Sequence, residues 1–273
     1  MTTDAQSPSL TDLHSHLVPG VDDGARVLED ALEGVGRMWS EGIRTVVTTP
    51  HLNGSLTHDR RALERRLSEV DVAFDTLAAA VAERVPGVDL RRGHEVLLDV
   101  PDPDLSDPRV RLSGTNLVLA EWPRLQIPPE TPAVIRGLHK HRIEIVIAHA
   151  ERYMGYDEGM TVVERWRGEG AMCQVNYGSL LGMYGSKPRE QAFRLLGQGR
   201  VDCLSTDFHG SPSLPLFVDG AREIFEKFDA TEAWSLLTAI NPRRIARGER
   251  PLPVPWLEGR PGLLRRLMSF LRA

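Results

Sequence analysis

Apolar and polar positions along the chain follow two alternating periods. Short runs rich in β-branched and aliphatic residues at 10–14, 43–49, 88–98, 116–120, 143–148, 171–176 and 201–206 predict strands. Between them, apolar residues recur three and four positions apart. The clearest case is 25–41, where Val27, Leu28, Ala31, Leu32, Val35 and Met38 form one stripe and Gly42 follows as a C-cap. Segment 59–84 predicts a long, charge-laced helix closed by Pro86-Gly87, and 131–141, 157–168 and 188–198 continue the alternation, with further helical pieces from Phe217 onward. Strands alternating with helices imply an α/β fold with a mostly parallel sheet, and this many units predicts closure into a barrel. No internal repeat or interdomain linker interrupts the pattern. The expected organisation is a disordered polar tail at 1–9, one barrel over 10–248 and an extension at 249–273. The Pro-rich stretch 101–108 predicts a loop, with Asp99, Asp102, Asp104 and Asp107 as solvated turn formers.

Composition narrows the class. The chain has 273 residues, 41% hydrophobic and 26% charged, as in a soluble globular protein with a sizeable core. A net charge of −5 offers nucleic acid no overall attraction, so an anionic ligand would need a local positive site. Cys173 and Cys203 sit in short apolar runs and read as buried thiols. No apolar segment reaches the ~20 residues needed to cross a bilayer, and the N-terminus lacks a basic stretch leading into an apolar run, so a cytoplasmic location is expected.

The chemistry lies at the ends of the predicted strands. His14 and His16 stand two apart, where a strand sets side chains on one face, and Asp23 follows. His51 ends the second strand, Glu95 lies on the third, Glu121 ends the fourth and His149 the fifth, while Asp207 and His209 follow the last. The C-terminal strand ends of a (β/α) barrel share the face that carries active sites. Nine metal-type donors therefore meet on one rim: His14, His16, Asp23, His51, Glu95, Glu121, His149, Asp207 and His209. Mixed imidazole and carboxylate donors without cysteine suit Mn, Fe or Zn rather than a structural thiolate site. His58, His94, His139 and His141 read as structural or exposed, His94 because it adjoins Glu95 on a strand and faces the other way.

The chain resembles the PHP (polymerase and histidinol phosphatase) superfamily, and more narrowly the manganese-dependent bacterial tyrosine phosphatases of capsular and extracellular polysaccharide synthesis. The segments that carry the resemblance run in order: Asp12-Leu-His-Ser-His16, Val21-Asp-Asp-Gly24, Thr49-Pro-His51, Gly93-His-Glu95, Ala120-Glu121, Ile147-Ala-His-Ala-Glu-Arg-Tyr153, Gln174-Val-Asn176, Ser205-Thr-Asp-Phe-His209 and Asn241-Pro-Arg-Arg-Ile245. The resemblance implies a distorted (β/α)7 barrel holding three divalent metals, most readily Mn. It places the first on His14, His16, Glu95 and Asp207. Glu95 bridges to a second, completed by Glu121 and His149, and Asp23, His51 and His209 hold the third. Four carboxylates against three divalent ions leave a positive pocket in an acidic protein, matched to a phosphomonoester dianion. The implied reaction is phosphotyrosine hydrolysis by a metal-bound hydroxide, with Asp207 and His209 in the catalytic group. The implied partner is a tyrosine-phosphorylated protein such as a bacterial tyrosine kinase. The rival reading is another PHP phosphoesterase, such as a histidinol-phosphate phosphatase.

Arg152, three residues after His149, is the candidate for a further phosphate contact, its competing reading being a salt bridge to a neighbour such as Glu151. The chain departs from the family at Gly210-Ser-Pro-Ser-Leu-Pro215, where an Arg in a Gly-Arg-Pro context is common and none occurs. Arg243 and Arg244 are the candidates to stand in. Residues 263–272 predict a basic amphipathic helix that packs on the barrel or on a partner copy, or else lies on a membrane surface.

Overall fold

A computed structural model of the chain describes residues 9–255 apart from 212. The polar N-terminal tail and the amphipathic stretch 263–272 lie outside the described residues. The strands are β1 (Leu10–Asp12), β2 (Ile43–Thr48), β3 (His51–Asn53), β4 (Asp89–Arg92), β5 (Glu95–Leu97), β6 (Leu117–Glu121), β7 (Glu144–Ile147), β8 (Met172–Asn176) and β9 (Cys203–Ser205). Every pairing among them is parallel. β3 continues β2 beyond Pro50, and β5 continues β4 beyond Gly93-His94, so nine strands make seven staves in chain order. The expected (β/α)7 barrel is what the chain forms.

The distortion has three sources. Pro50 supplies no amide hydrogen, so the second stave breaks there. The Glu95 amide spans the break by donating to the Thr49 and Pro50 carbonyls, each at 3.2 Å. The third stave, expected unbroken over 88–98, breaks at Gly93, where a Cβ would lie 3.1 Å from the Arg111 carbonyl and the Leu112 Cα. The third source is the seam. β1 and β9 do not form a ladder. They are joined beyond their ends by the Ser15–Phe208 bridge and by the Asp207 amide donating to the His14 carbonyl at 2.9 Å. Within the seam a side chain replaces a ladder rung: Asp12 accepts from the Thr206 amide at 2.7 Å and from its hydroxyl at 3.1 Å.

Helices cover the staves. They include α1 (Leu28–Ser40), α2 (Arg60–Arg84), α3 (Thr131–Lys140), α4 (Thr161–Gly168), α5 (Tyr177–Leu180), α6 (Ser186–Gly197), α7 (Val218–Lys227), α8 (Thr231–Ser235) and α9 (Asn241–Ile245). α2 starts one residue later than the pattern implies because Asp59 is its N-cap, accepting from the Arg61 and Ala62 amides at 3.0 Å each. α4 begins only at Thr161, and the short α5 directly after β8 was not expected. No α-helix joins β5 to β6, where the Pro-rich loop is followed by 3₁₀ turns at Pro108–Val110 and Leu112–Gly114. Asp104 and Asp107 accept from the amides two residues on, as turn formers do, whereas Asp99 accepts from the amide and hydroxyl of distant Ser55.

Inside the barrel, Leu13, Val47, Leu117, Leu119, Val146, Ala148, Met172 and Cys203 form an apolar plug, which Ile245 and Ala246 close from the N-terminal end. α9 therefore sits opposite the predicted site. Arg243 donates to the Ser9 carbonyl, and Arg244 to the Arg250 carbonyl and the Glu249 carboxylate. Neither stands in for the missing rim arginine.

Candidate metal centre

The plug leaves only the C-terminal mouth of the barrel open to polar chemistry, and the nine donors named from the sequence all meet there. His14 and His16 leave the first stave with their Nε2 atoms 3.2 Å apart. Glu95 Oε2 lies 3.1 and 3.3 Å from those nitrogens, and Asp207 Oδ1 lies 3.3 and 3.6 Å from them. His149 Nε2 meets the other Glu95 oxygen at 2.9 Å and Glu121 at 3.7 Å. His51 turns Nδ1 to Glu95 at 3.2 Å and Nε2 to Asp23 at 3.4 Å, and His209 Nε2 is 3.6 Å from Asp23. The His16 and His209 rings stack at 4.2 Å between centroids.

The donor atoms form three clusters: His14, His16 and Glu95; His51, Glu95 and Glu121; and His16, Asp23, His51 and His209. Each cluster mixes imidazole nitrogens with carboxylate oxygens, a donor set that suits divalent Mn, Fe or Zn. The partition differs in detail from the one the resemblance implies, because His16 also borders the Asp23 group and His51 also borders Glu121.

Outer contacts pin the rings. His14 Nδ1 donates to Gln174 Oε1 at 3.1 Å, and the His149 amide fixes that oxygen's identity by donating to it at 2.9 Å. His16 Nδ1 donates to Asp22 Oδ2 at 2.8 Å, and His209 Nδ1 donates to the Asp207 carbonyl at 2.9 Å. In each ring this leaves Nε2 facing inward, the nitrogen on which a cation would replace the proton, the usual outer-contact device of a metal-binding histidine. Asp22 also accepts from the Gly24 and His51 amides, which ties the loop to the second stave. Gly24 has no alternative at that point, since a Cβ there would lie 2.1 Å from the His16 carbonyl oxygen. His149 and Asp207 both hold left-handed backbone, at φ 34 and 52, an uncommon state concentrated at functional sites.

The electrostatics are mutual. Burial opposes charge on His14, yet the Glu95 and Asp207 carboxylates outweigh it and push its pKa up to about 9. Burial likewise opposes ionisation of Asp207, and His14 and His16 hold it well below the usual carboxylate range. Asp22, despite its burial, is held down at about 2 by its bond to His16. Burial and the Glu95 charge together raise Glu121. Asp22 is a fifth carboxylate beside the four counted from the sequence, and it spends its oxygens on the His16 ring and the Gly24 and His51 amides.

Exposure grades across the site. The side chains of His14 and His16 are fully enclosed, Glu121 is 19% exposed, and the outer edge opens through His209 at 29%, His51 at 36% and Asp23 at 67%. Arg152 does not pair with Glu151. Glu151 is buried and accepts from Ser179 and the Asn176 amide, whereas Arg152 donates to Asp207 Oδ2 at 3.1 Å. His58, His139 and His141 are exposed, and His94 is buried with Nδ1 on the Arg109 carbonyl, so all four stay outside the site.

Comparison with known proteins decides the family. The profile of the capsular polysaccharide synthesis family CpsB/CapC matches residues 10–247. The chain belongs to the CpsB/CapC family. Its similarity to the tyrosine-protein phosphatase YwqE of Bacillus subtilis is 27% identity over 237 residues, covering 84% of this chain and 89% of that protein. To the tyrosine-protein phosphatase CpsB of Streptococcus pneumoniae it is 27% over 247 residues, covering 86% and 98%. A crystal structure from work on YwqE and CpsB, described there as metal-dependent tyrosine phosphatases, shares the fold with a TM-score of 0.75 at 24% identity, covering 90% of this chain and 100% of that one.

Asp22, Gln174, Asn176 and Arg66 touch the predicted donors or the loops that carry them, and sequence reasoning gave them no role. Gln174 and Asn176 did carry a signal, as two amides sharing one face at the end of a strand. Arg66 on α2 donates to the Val21 carbonyl at 2.7 Å and the His51 carbonyl at 3.2 Å, a contact across the fold with no local signature.

Proposed function

We propose that this chain is a metal-dependent protein-tyrosine phosphatase of capsular or extracellular polysaccharide production. The observation that carries the reading is the convergence on one barrel rim of seven clustered metal-type donors, with His149 and Asp207 against them, in a family whose named relatives are tyrosine phosphatases. His14, His16, Glu95 and Asp207 would hold one divalent ion, Glu95 with Glu121 and His149 a second, and Asp23, His51 and His209 a third. The donor set suits Mn, with Fe and Zn as the other ions these ligands accept. Ions bound there supply Lewis acidity, which polarises a phosphoryl oxygen and lowers the pKa of a coordinated water from 15.7 toward ~7.

The residues of the chain do the remaining work. Gln174, Asp22 and the Asp207 carbonyl orient the imidazoles, so the ligand nitrogens need no reorganisation. Arg152 offers a guanidinium that fits phosphoryl oxygens. The apolar plug beneath keeps the rim polar on one side only. A departing phenolate, with a pKa of about 10, needs no dedicated acid. The substrate would be a tyrosine-phosphorylated protein such as a bacterial tyrosine kinase, met in the cytoplasm. Among the described residues no helix is long and apolar enough to cross a membrane.

Bound-metal analysis combined with turnover of a phosphotyrosine peptide, histidinol phosphate and a generic aryl phosphate tests the reading. Metal-dependent hydrolysis favouring the phosphotyrosine peptide is expected. Preference for histidinol phosphate would move the chain to another PHP activity. His14→Ala and Asp207→Ala should abolish turnover and reduce bound metal, and full activity in either would overturn the site.

A further inference from the structure

Asp207 turns its two oxygens to different neighbours. Oδ1 faces His14 and His16, while Oδ2 accepts from Arg152 Nη1 at 3.1 Å and from Asn176 Nδ2 at 2.8 Å. Both of those donors rest on one further side chain. The Arg152 guanidinium carbon lies 4.2 Å from the Tyr184 ring centroid, and the Tyr184 hydroxyl stands 3.4 Å from Asn176 Nδ2. Tyr184 lies in the turn between α5 and α6, so the loop after β8 delivers it to the rim. The other N–H groups of Arg152 meet no acceptor among the described residues, and the side chain is 25% exposed.

That arrangement matters in this chain because the segment after His209 carries no arginine and Arg243 and Arg244 are engaged at the opposite end of the barrel. Among the described residues, phosphate recognition beyond the metal donors then leans on the Arg152 guanidinium, at the end of a long, rotatable side chain. A guanidinium is weakly hydrated and stacks well on an aromatic face. Fixing it before the ligand arrives removes an ordering cost from binding.

We propose that Tyr184 is a positioning residue for phosphate recognition: its ring holds the Arg152 guanidinium flat, one edge on Asp207 and the unspent edge toward the phosphoryl group. The proposal rests on the phosphomonoesterase reading of the site and adds a residue to it.

The test compares Tyr184→Phe, Tyr184→Leu, Arg152→Ala and the Tyr184→Leu/Arg152→Ala double variant in the full-length, metal-loaded protein. The readouts are KM and kcat for a phosphotyrosine peptide, the inhibition constant of inorganic phosphate and bound-metal content. Tyr184→Leu keeps apolar volume and should raise both KM and the phosphate inhibition constant about tenfold, within the range of a desolvated cation–π contact. Tyr184→Phe should stay within about twofold of wild type, because it keeps the ring face. In the Arg152→Ala background the Tyr184→Leu change should have almost no further effect, since coupled residues are non-additive. Full additivity of the two substitutions, an unchanged phosphate inhibition constant in Tyr184→Leu, or loss of bound metal in that variant would each overturn the proposal. The phosphotyrosine reading fails separately, if wild type binds phosphate and metal but turns over another phosphomonoester in preference. The Tyr184 comparison then runs unchanged on that ester.

Discussion

Asp12 accepts both donors of Thr206 across the barrel seam, the amide on one carboxylate oxygen and the hydroxyl on the other. No strand ladder joins β1 to β9, so this pair does work that backbone hydrogen bonds do between the other staves. Asp12→Ala would leave the buried Thr206 amide without its partner and the hydroxyl with only the His14 carbonyl. It should cost about 2–4 kcal/mol of unfolding free energy, as expected for stranding buried polar groups. Asp12→Asn, which keeps an acceptor, should cost less. Chemical denaturation of both variants checks this, and equal stability of Asp12→Ala and wild type would show that the seam is held elsewhere.

Gln174 serves two predicted ligands with one oxygen, accepting from the His14 ring and the His149 amide. Gln174→Leu preserves bulk and removes both bonds. Outer contacts of this kind are worth roughly 10–100-fold in metal affinity or activity. Competition with a chelator of known affinity should register a loss of that size while the circular dichroism spectrum stays unchanged.

Arg66 ties the Asp22-Asp23 loop to His51 through two carbonyls. Removing it in Arg66→Ala should loosen the outer edge and leave the enclosed donors His14, His16 and Glu95 in place. The expected outcome is a lower affinity for the most weakly held metal equivalent with the tightest one unchanged. Isothermal titration with Mn²⁺ resolves the two, and a uniform weakening of all equivalents would count against the assignment.

Cys173 and Cys203 are free, fully buried thiols, and burial pushes Cys173 up to about 12 and Cys203 well above its ordinary value. Thiolate is the reacting species, so neither should be labelled in the native protein at pH 8. Labelling by an aromatic disulfide reagent should follow global unfolding. A fast burst on the native protein would place at least one thiol outside the barrel core.

The seven-stave barrel was legible because its strands are apolar runs of ordinary length separated by amphipathic helices, and the donors were legible because all but Glu95, which lies within a run, close or follow one. The breaks were harder to read. Pro50 looks like the end of a strand in any sequence, and only the parallel pairing of His51 with Glu95 shows that the stave resumes. The break at Gly93 depends on Arg111 and Leu112, which lie beyond the following strand and in sequence give no hint of that proximity. Arg152 pairs with Asp207, distant in sequence, and not with the adjacent Glu151, a choice that no local pattern reveals. Local pattern identifies which residues can act, and long-range packing decides which of them touch.

The graded exposure of the donors sets a kinetic order. A cation seated between the enclosed rings of His14 and His16 would be shut off from solvent, whereas one held by Asp23, His51 and His209 would sit at the open edge. Ions would therefore load and unload in sequence, inner first in and last out. The metal content of a purified sample would record its history of exposure to chelators and competing ions, with the outer position equilibrating quickly and the inner one keeping the ion acquired when the chain folded.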